Sequence, residues 1–117
     1  MNRGDFNAYC KGFKGSSNVV QWGNASVWKI GGKIFAVCST WGPGAAQKIS
    51  FKCSDISYQL LCEPDGIVPA PYLARAKWVQ LQRPDAMEDE AVKTYIAAAY
   101  DIVAAKLTKA QRKALGL

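Results

Sequence analysis

The chain has 117 residues, with 15 lysines and arginines against 9 acids, a formal charge of +6 and no histidine. That length suits one domain, 1–117, with no room for a second core, and a composition that is 50% hydrophobic and 21% charged excludes a disordered polymer. The missing histidine excludes Ser–His and Cys–His nucleophiles and any histidine general base.

Phe6, Tyr9, Cys10 and Phe13 fall at i, i+3, i+4 and i+7, which predicts a first helix that ends at Gly15 and Ser16-Ser17. "VVQW" at 19–22 reads as a strand and Gly23-Asn24 as a tight turn. "VWKIGGKIFAVC" at 27–38 places two apolar arms around Gly31-Gly32. It predicts a hairpin with strands near 25–30 and 33–39, whose turn residues both need positive φ. A regular register through that turn pairs Ile30 with Lys33, Lys29 with Ile34 and Trp28 with Phe35. Trp28, Ile30, Phe35 and Val37 then share one face, and Val27, Lys29, Ile34, Ala36 and Cys38 the other.

"TWGPGAAQ" at 40–47 breaks the sheet. In "KISFKC" at 48–53, Ile49, Phe51 and Cys53 alternate with Lys48, Ser50 and Lys52, which predicts a strand with one buried face. Ser54 or Asp55 caps a second helix carrying Ile56, Leu60 and Leu61, which ends near Glu63-Pro64. "DGIVPAPY" reads as loop and "KWVQL" at 77–81 as a fifth strand, with Trp78 as core. Trp22 and Trp41 beside their glycines read as packing for the sheet ends.

The final helix is predicted from Val92, Tyr95, Ile96, Ala99, Ile102, Val103 and Leu107, one apolar face over four turns. The acids of "DAMEDE" at its start read as dipole and capping chemistry rather than a catalytic carboxylate pair. Thr108 and Gln111 have capping-box spacing for a further short helix.

Cys10, Cys38, Cys53 and Cys62 show no two-residue spacing of a redox or zinc motif, so free, mostly buried thiols and no metal or cofactor are expected. Gly32-Lys33 is no phosphate loop: position 27 is valine and no Ser or Thr follows the lysine. The N-terminal stretch lacks the apolar core of a signal peptide, and no apolar run approaches the roughly 18 residues of a membrane span. A cytoplasmic protein is expected.

Charge is divided along the chain. Residues 1–84 hold 10 bases and 4 acids, residues 85–105 hold 1 base and 5 acids, and residues 106–117 add 4 bases. The sheet half is basic, and a basic partner surface for a polyanion is predicted there.

Three pieces in this order resemble the MmcQ/YjbR family of small bacterial proteins: "VWKIGGKIFAVC", then "ISFKCSD" leading into a helix, then "PAPYLARAKWVQL" before a long helix. "YIAAAYDIVAAKLTKAQR" is similar to the family's closing helix, so the resemblance covers roughly residues 18–112. The N-terminus departs from it, because "CKGFKGSS" stands where the family has a longer first helix ending in Leu-Pro-Gly.

The resemblance implies an α+β fold like that of frataxin and CyaY, an antiparallel sheet backed by helices, and a DNA-binding role through wing-like hairpins. The basic positions at the matching places are Lys29, Lys33, Lys52, Arg75 and Lys77. With 11 lysines to 4 arginines, phosphate contacts should dominate and sequence selectivity should be weak. The expected function is a non-enzymatic DNA-binding module, on duplex DNA. The alternative is a regulatory domain whose basic surface meets an acidic protein. Frataxin-like iron binding ranks last, because Asp5 is the sole acid before Asp55.

Overall fold

A computed structural model describes the whole chain, Met1–Leu117. Six strands form a single antiparallel sheet in the order β1-β2-β3-β4-β6-β5: β1 (Ser16–Gln21), β2 (Ala25–Ile30), β3 (Lys33–Ser39), β4 (Lys48–Lys52), β5 (Ile67–Pro69) and β6 (Trp78–Leu81). Helices α1 (Arg3–Lys11) and α3 (Asp89–Ala104) cover one face. The short helix α2 (Asp55–Leu61) follows β4, and α4 (Lys109–Ala114) closes the chain. The architecture is α+β, as the family resemblance implies. No helix is long and apolar enough to cross a membrane.

Helix α1 begins with a capping box in which Asn2 accepts from the Asp5 amide and Asp5 accepts from the Asn2 amide. It buries Phe6 and Cys10 and stops at Lys11, four residues before the predicted breaker. Phe13 lies beyond the helix, stacked on Tyr100 at 4.8 Å between ring centroids. Its apolar character therefore belongs to the core rather than to a longer helix. Ser16 already pairs in β1.

The hairpin departs from the regular register. Lys29 pairs with Ile34 as expected, but Trp28 pairs with Ala36, leaving Phe35 as the extra residue of a bulge. The bulge inverts the predicted faces beyond it: Ala36 and Cys38 join Trp28 and Ile30 in the main core, and Val37 joins Val27 on the opposite face. The physical gain is aromatic. Phe35 packs edge-on against both Phe13 (5.8 Å) and Tyr100 (5.5 Å).

Two segments are corrected elsewhere. "IVP" forms β5 inside the predicted loop, opened by Gly66 at φ 88° and antiparallel to β6. Three residues are too few to show alternation, and Pro69 is tolerated because β5 is an edge strand. Lys77 lies outside β6 in left-handed backbone (φ 63°) after the 3₁₀ turn Ala74–Ala76.

Helix α3 buries Val92, Ile96, Ala99, Tyr100, Val103 and Ala104. Ile102 is only half-buried, because the buried stripe of α3 runs through Ile96, Ala99, Val103, Ala104 and Tyr100 and leaves Ile102 at its opposite margin. In α2, Ser54 accepts from the Ser57 amide as the N-cap and Leu61 is buried, whereas Ile56 and Leu60 face solvent. Trp78 is core, as predicted, on the face away from α1 and α3.

Candidate nucleic-acid interface

The tip of the β2–β3 hairpin is seated on the end of α3. Gly31 (φ 58°) lies so close to Leu107 that a Cβ there would stand 2.6 Å from Leu107 Cδ2. Leu107 is buried and leads directly into α4, whose capping box pairs Thr108 with Gln111. The hairpin and the C-terminal helix therefore occupy one end of the molecule. A cleft of about 810 Å³ there is lined by Leu107, Lys109, Arg112, Lys113, Gly116 and Leu117. Lys14 joins from the other side, with its Cε 3.1 Å from where a Gly116 Cβ would stand.

The five predicted residues are distributed around this end. Lys33 is exposed and pairs with Ile30, whose side chain enters the main core, so Lys33 sits on the side of α3 and α4. Lys29 alternates to the opposite face beside Ile34 and is half-buried. Lys52, at the end of β4, shares that opposite face with Trp78 and donates to the Ala76 carbonyl. Burial, followed by the positive charges of Lys106 and Lys77, holds the Lys52 ammonium below its usual range despite the opposing pull of Asp55. Arg75 is exposed on the 3₁₀ turn. Lys77 places its Nζ 5.1 Å from the Tyr58 ring centroid.

None of these five, nor Lys106, Lys109, Arg112 or Lys113, makes an ion pair. The pairs gather around the opposite end, where α3 begins. Met1 binds Asp89 at 2.8 Å, Arg83 bridges Asp65 and Asp85, and Glu90 meets Lys93. Asp85, Asp89 and Glu90 of "DAMEDE" are thus ion-paired around the helix start, where Asp89 and Glu90 suit the helix dipole, whereas the N-cap Glu88 makes no side-chain capping hydrogen bond, contrary to the capping role expected of the stretch. Since α3 has 16 residues, roughly 24 Å separate its acidic start from its basic end.

The face away from α1 and α3 carries a second feature. Trp22, Trp41, Tyr72 and Leu73 line a cavity of about 460 Å³. Trp22 and Trp41 approach at 5.8 Å between centroids, and Trp41 and Tyr72 meet edge-on at 5.5 Å. Trp22 is 50% exposed and Tyr72 89% exposed. Both hold left-handed backbone, φ 53° and φ 68°, where a bulky side chain costs about 1–3 kcal/mol. The loop carrying Trp41 is tied down from the sheet. Gln80 Nε2 donates to the Trp41 carbonyl at 2.9 Å, and the buried Lys48 reaches the carbonyls of Ala46 (3.0 Å), Gly44 (3.4 Å) and Thr40 (3.5 Å). Packing of the sheet ends, the role predicted for Trp22 and Trp41, describes Trp41 but leaves Trp22 half in solvent.

The family model described as YjbR matches residues 11–102. The chain belongs to the YjbR family. A Deinococcus radiodurans protein, DR2400, with the family-model domain DUF419, has a similar structure at TM-score 0.87 and 22% identity, over 100% of this chain and 89% of that one. A Pseudomonas syringae protein is similar at TM-score 0.70 and 17% identity, over 88% of this chain and 99% of that one. At such identities the likeness speaks for the fold. No curated protein matches the sequence.

Within this YjbR chain, sequence reasoning missed the cations of α4. The signal was present, since residues 106–117 hold four bases and no acid. The Gly31–Leu107 contact that brings α4 to the hairpin end, however, spans more than 70 positions. The cluster of Trp22, Trp41 and Tyr72 was missed as a unit for the same reason. The four thiols are free. Burial pushes Cys38 up to about 11 and Cys53 up to about 12, and raises Cys10 and Cys62 as well.

Proposed function

We propose that this chain is a non-enzymatic DNA-binding module that grips phosphates with its hairpin end. The observation that carries the reading is the separation of charge in space. Lys33, Lys106, Lys109, Arg112 and Lys113 collect without an ion-pair partner at one end, with Lys29, Lys52, Arg75 and Lys77 on its flank, while the ion pairs occupy the other. Unpaired cations on a rigid hairpin and helix keep their charge available for phosphates, and ammonium groups read no base sequence. The DNA-binding role implied by family resemblance agrees with this.

A salt titration of duplex binding tests it. Neutralising roughly 4–6 phosphates gives a slope of about −4 to −5 in log K against log salt. Lys29→Ala with Lys33→Ala should reduce the slope by roughly 2, and Lys109→Ala with Arg112→Ala and Lys113→Ala by roughly 2–3, equally for all duplex sequences. Absence of binding at low salt would overturn the reading.

One observation favours a protein partner as the second reading. Ile56 and Leu60 lie one turn apart on α2 and are 73% and 60% exposed, on the same short helix whose Tyr58 lies under the Lys77 ammonium. An acidic partner with apolar residues would meet both features. Its binding would be lost in Ile56→Ser/Leu60→Ser with DNA affinity unchanged.

A further inference from the structure

We propose that the Trp22–Trp41–Tyr72 cluster is a stacking platform for unpaired nucleobases, so that the preferred ligand is DNA with a single-stranded segment beside a duplex. This rests on the DNA-binding reading and deepens it. Three features of the cluster support it. Its rings are accessible, because Trp22 and Tyr72 touch Trp41 yet stay half and mostly exposed on left-handed backbone. Its frame is rigid, because Gln80 and Lys48 fasten the Trp41 loop to the sheet. Its lining is three aromatic rings and a leucine and holds no acid that would repel a phosphate chain.

Charge complementarity decides the occupant. Lys29 and Lys52 lie on the same sheet face as the cluster, four residues along β2 from Ala25 and along β4 from Lys48. At about 3.3 Å per residue they stand roughly 13 Å from its edge. Arg75 is two residues beyond Leu73, a lining residue. An extended strand can therefore stack bases on the aromatic rings while its phosphates run toward Lys29, Lys52 and Arg75, and a duplex beyond them meets the hairpin end. Aromatic stacking tolerates any base because every base has a π-face, so this preference is for structure rather than sequence. A proline-rich peptide would also fit aromatic rings, but it has no use for the cationic flank.

The test compares a blunt duplex with the same duplex bearing a short oligothymidine overhang. The overhang should tighten binding about tenfold, within the range expected for stacking one or two bases, and should quench tryptophan fluorescence where the blunt duplex does not. Trp22→Ala/Tyr72→Ala should lose that gain and bind the blunt duplex as the wild type does. Trp22→Phe/Tyr72→Phe should retain most of it, and this pair carries the test if the alanine pair fails to fold. Equal affinity for blunt and overhung duplexes, with no quenching, overturns the stacking platform and leaves the phosphate-gripping end intact. Failure to bind any DNA overturns both. Quenching by a proline-rich peptide, with no response to the overhang, identifies the cluster as a peptide dock instead.

Discussion

Gly31 and Leu107 meet so closely that a Cβ on Gly31 would force the buried Leu107 side chain to shift at the end of α3. Gly32, the next residue, has nothing within 4 Å of the place a Cβ would take. Both have positive φ, 58° and 80°. Gly32→Ala should therefore cost only the backbone strain, about 1 kcal/mol, whereas Gly31→Ala adds overpacking and should cost about 2–4 kcal/mol. Urea melts of the two variants compare them directly. Equal losses would mean that the tip is not seated on Leu107.

Ile96 is fully buried and Ile102 half-buried on the same helix. Ile96→Ala should cost about 2–5 kcal/mol through lost transfer energy and a residual cavity. Ile102→Ala should cost less, about 1 kcal/mol, because its site at the margin of the core is partly open to solvent. Denaturant midpoints would reveal a reversed order at once, and that order would place the other face of α3 against the sheet.

Lys48 is 3% exposed and its ammonium serves backbone carbonyls of the loop that carries Trp41. Lys48→Met relieves the desolvation of a buried charge but removes a charged donor, a type of hydrogen bond worth about 1.5–3 kcal/mol. The loop should loosen, with a net loss of about 1 kcal/mol, and acrylamide should quench the tryptophans more readily. An unchanged quenching constant would show that Gln80 alone holds the loop.

The thiols set the alkaline limit. An exposed thiol loses its proton near 9.0, but burial in the fold delays this to about 11 for Cys38 and about 12 for Cys53. Between those values the unfolded chain binds fewer protons than the folded one, so stability falls as pH rises from about 9. Burial shifts Tyr9 and Tyr100 upward in the same sense. Lys52, shifted downward, opposes them just below 10.5. Urea midpoints should be level near neutral pH and decline above about pH 9. A level profile through about pH 10.5 would mean that the thiols are solvated in the native state.

What could be read from the sequence was local. The Gly31-Gly32 turn, the alternation of Ile49, Phe51 and Cys53, the Ser54 cap and the Thr108–Gln111 capping box each depend on residues within a few positions. Dihedral preference, pleat and capping hydrogen bonds act at that range, and the order of these pieces was enough to indicate the family and its sheet. Tertiary packing decided the rest. The bulge at Phe35 exists because Phe13 and Tyr100 receive that ring, and it reverses Ala36, Val37 and Cys38 relative to simple alternation. Tyr100 and Ile102 flank the apolar stripe of α3 on opposite sides, and only its docking on the sheet decides that the Tyr100 side is buried and the Ile102 side is left half-exposed. The assembly of Lys33 with the α4 cations, and of Trp22 with Trp41 and Tyr72, follows from strand order and loop closure across tens of residues, over which no periodicity carries information.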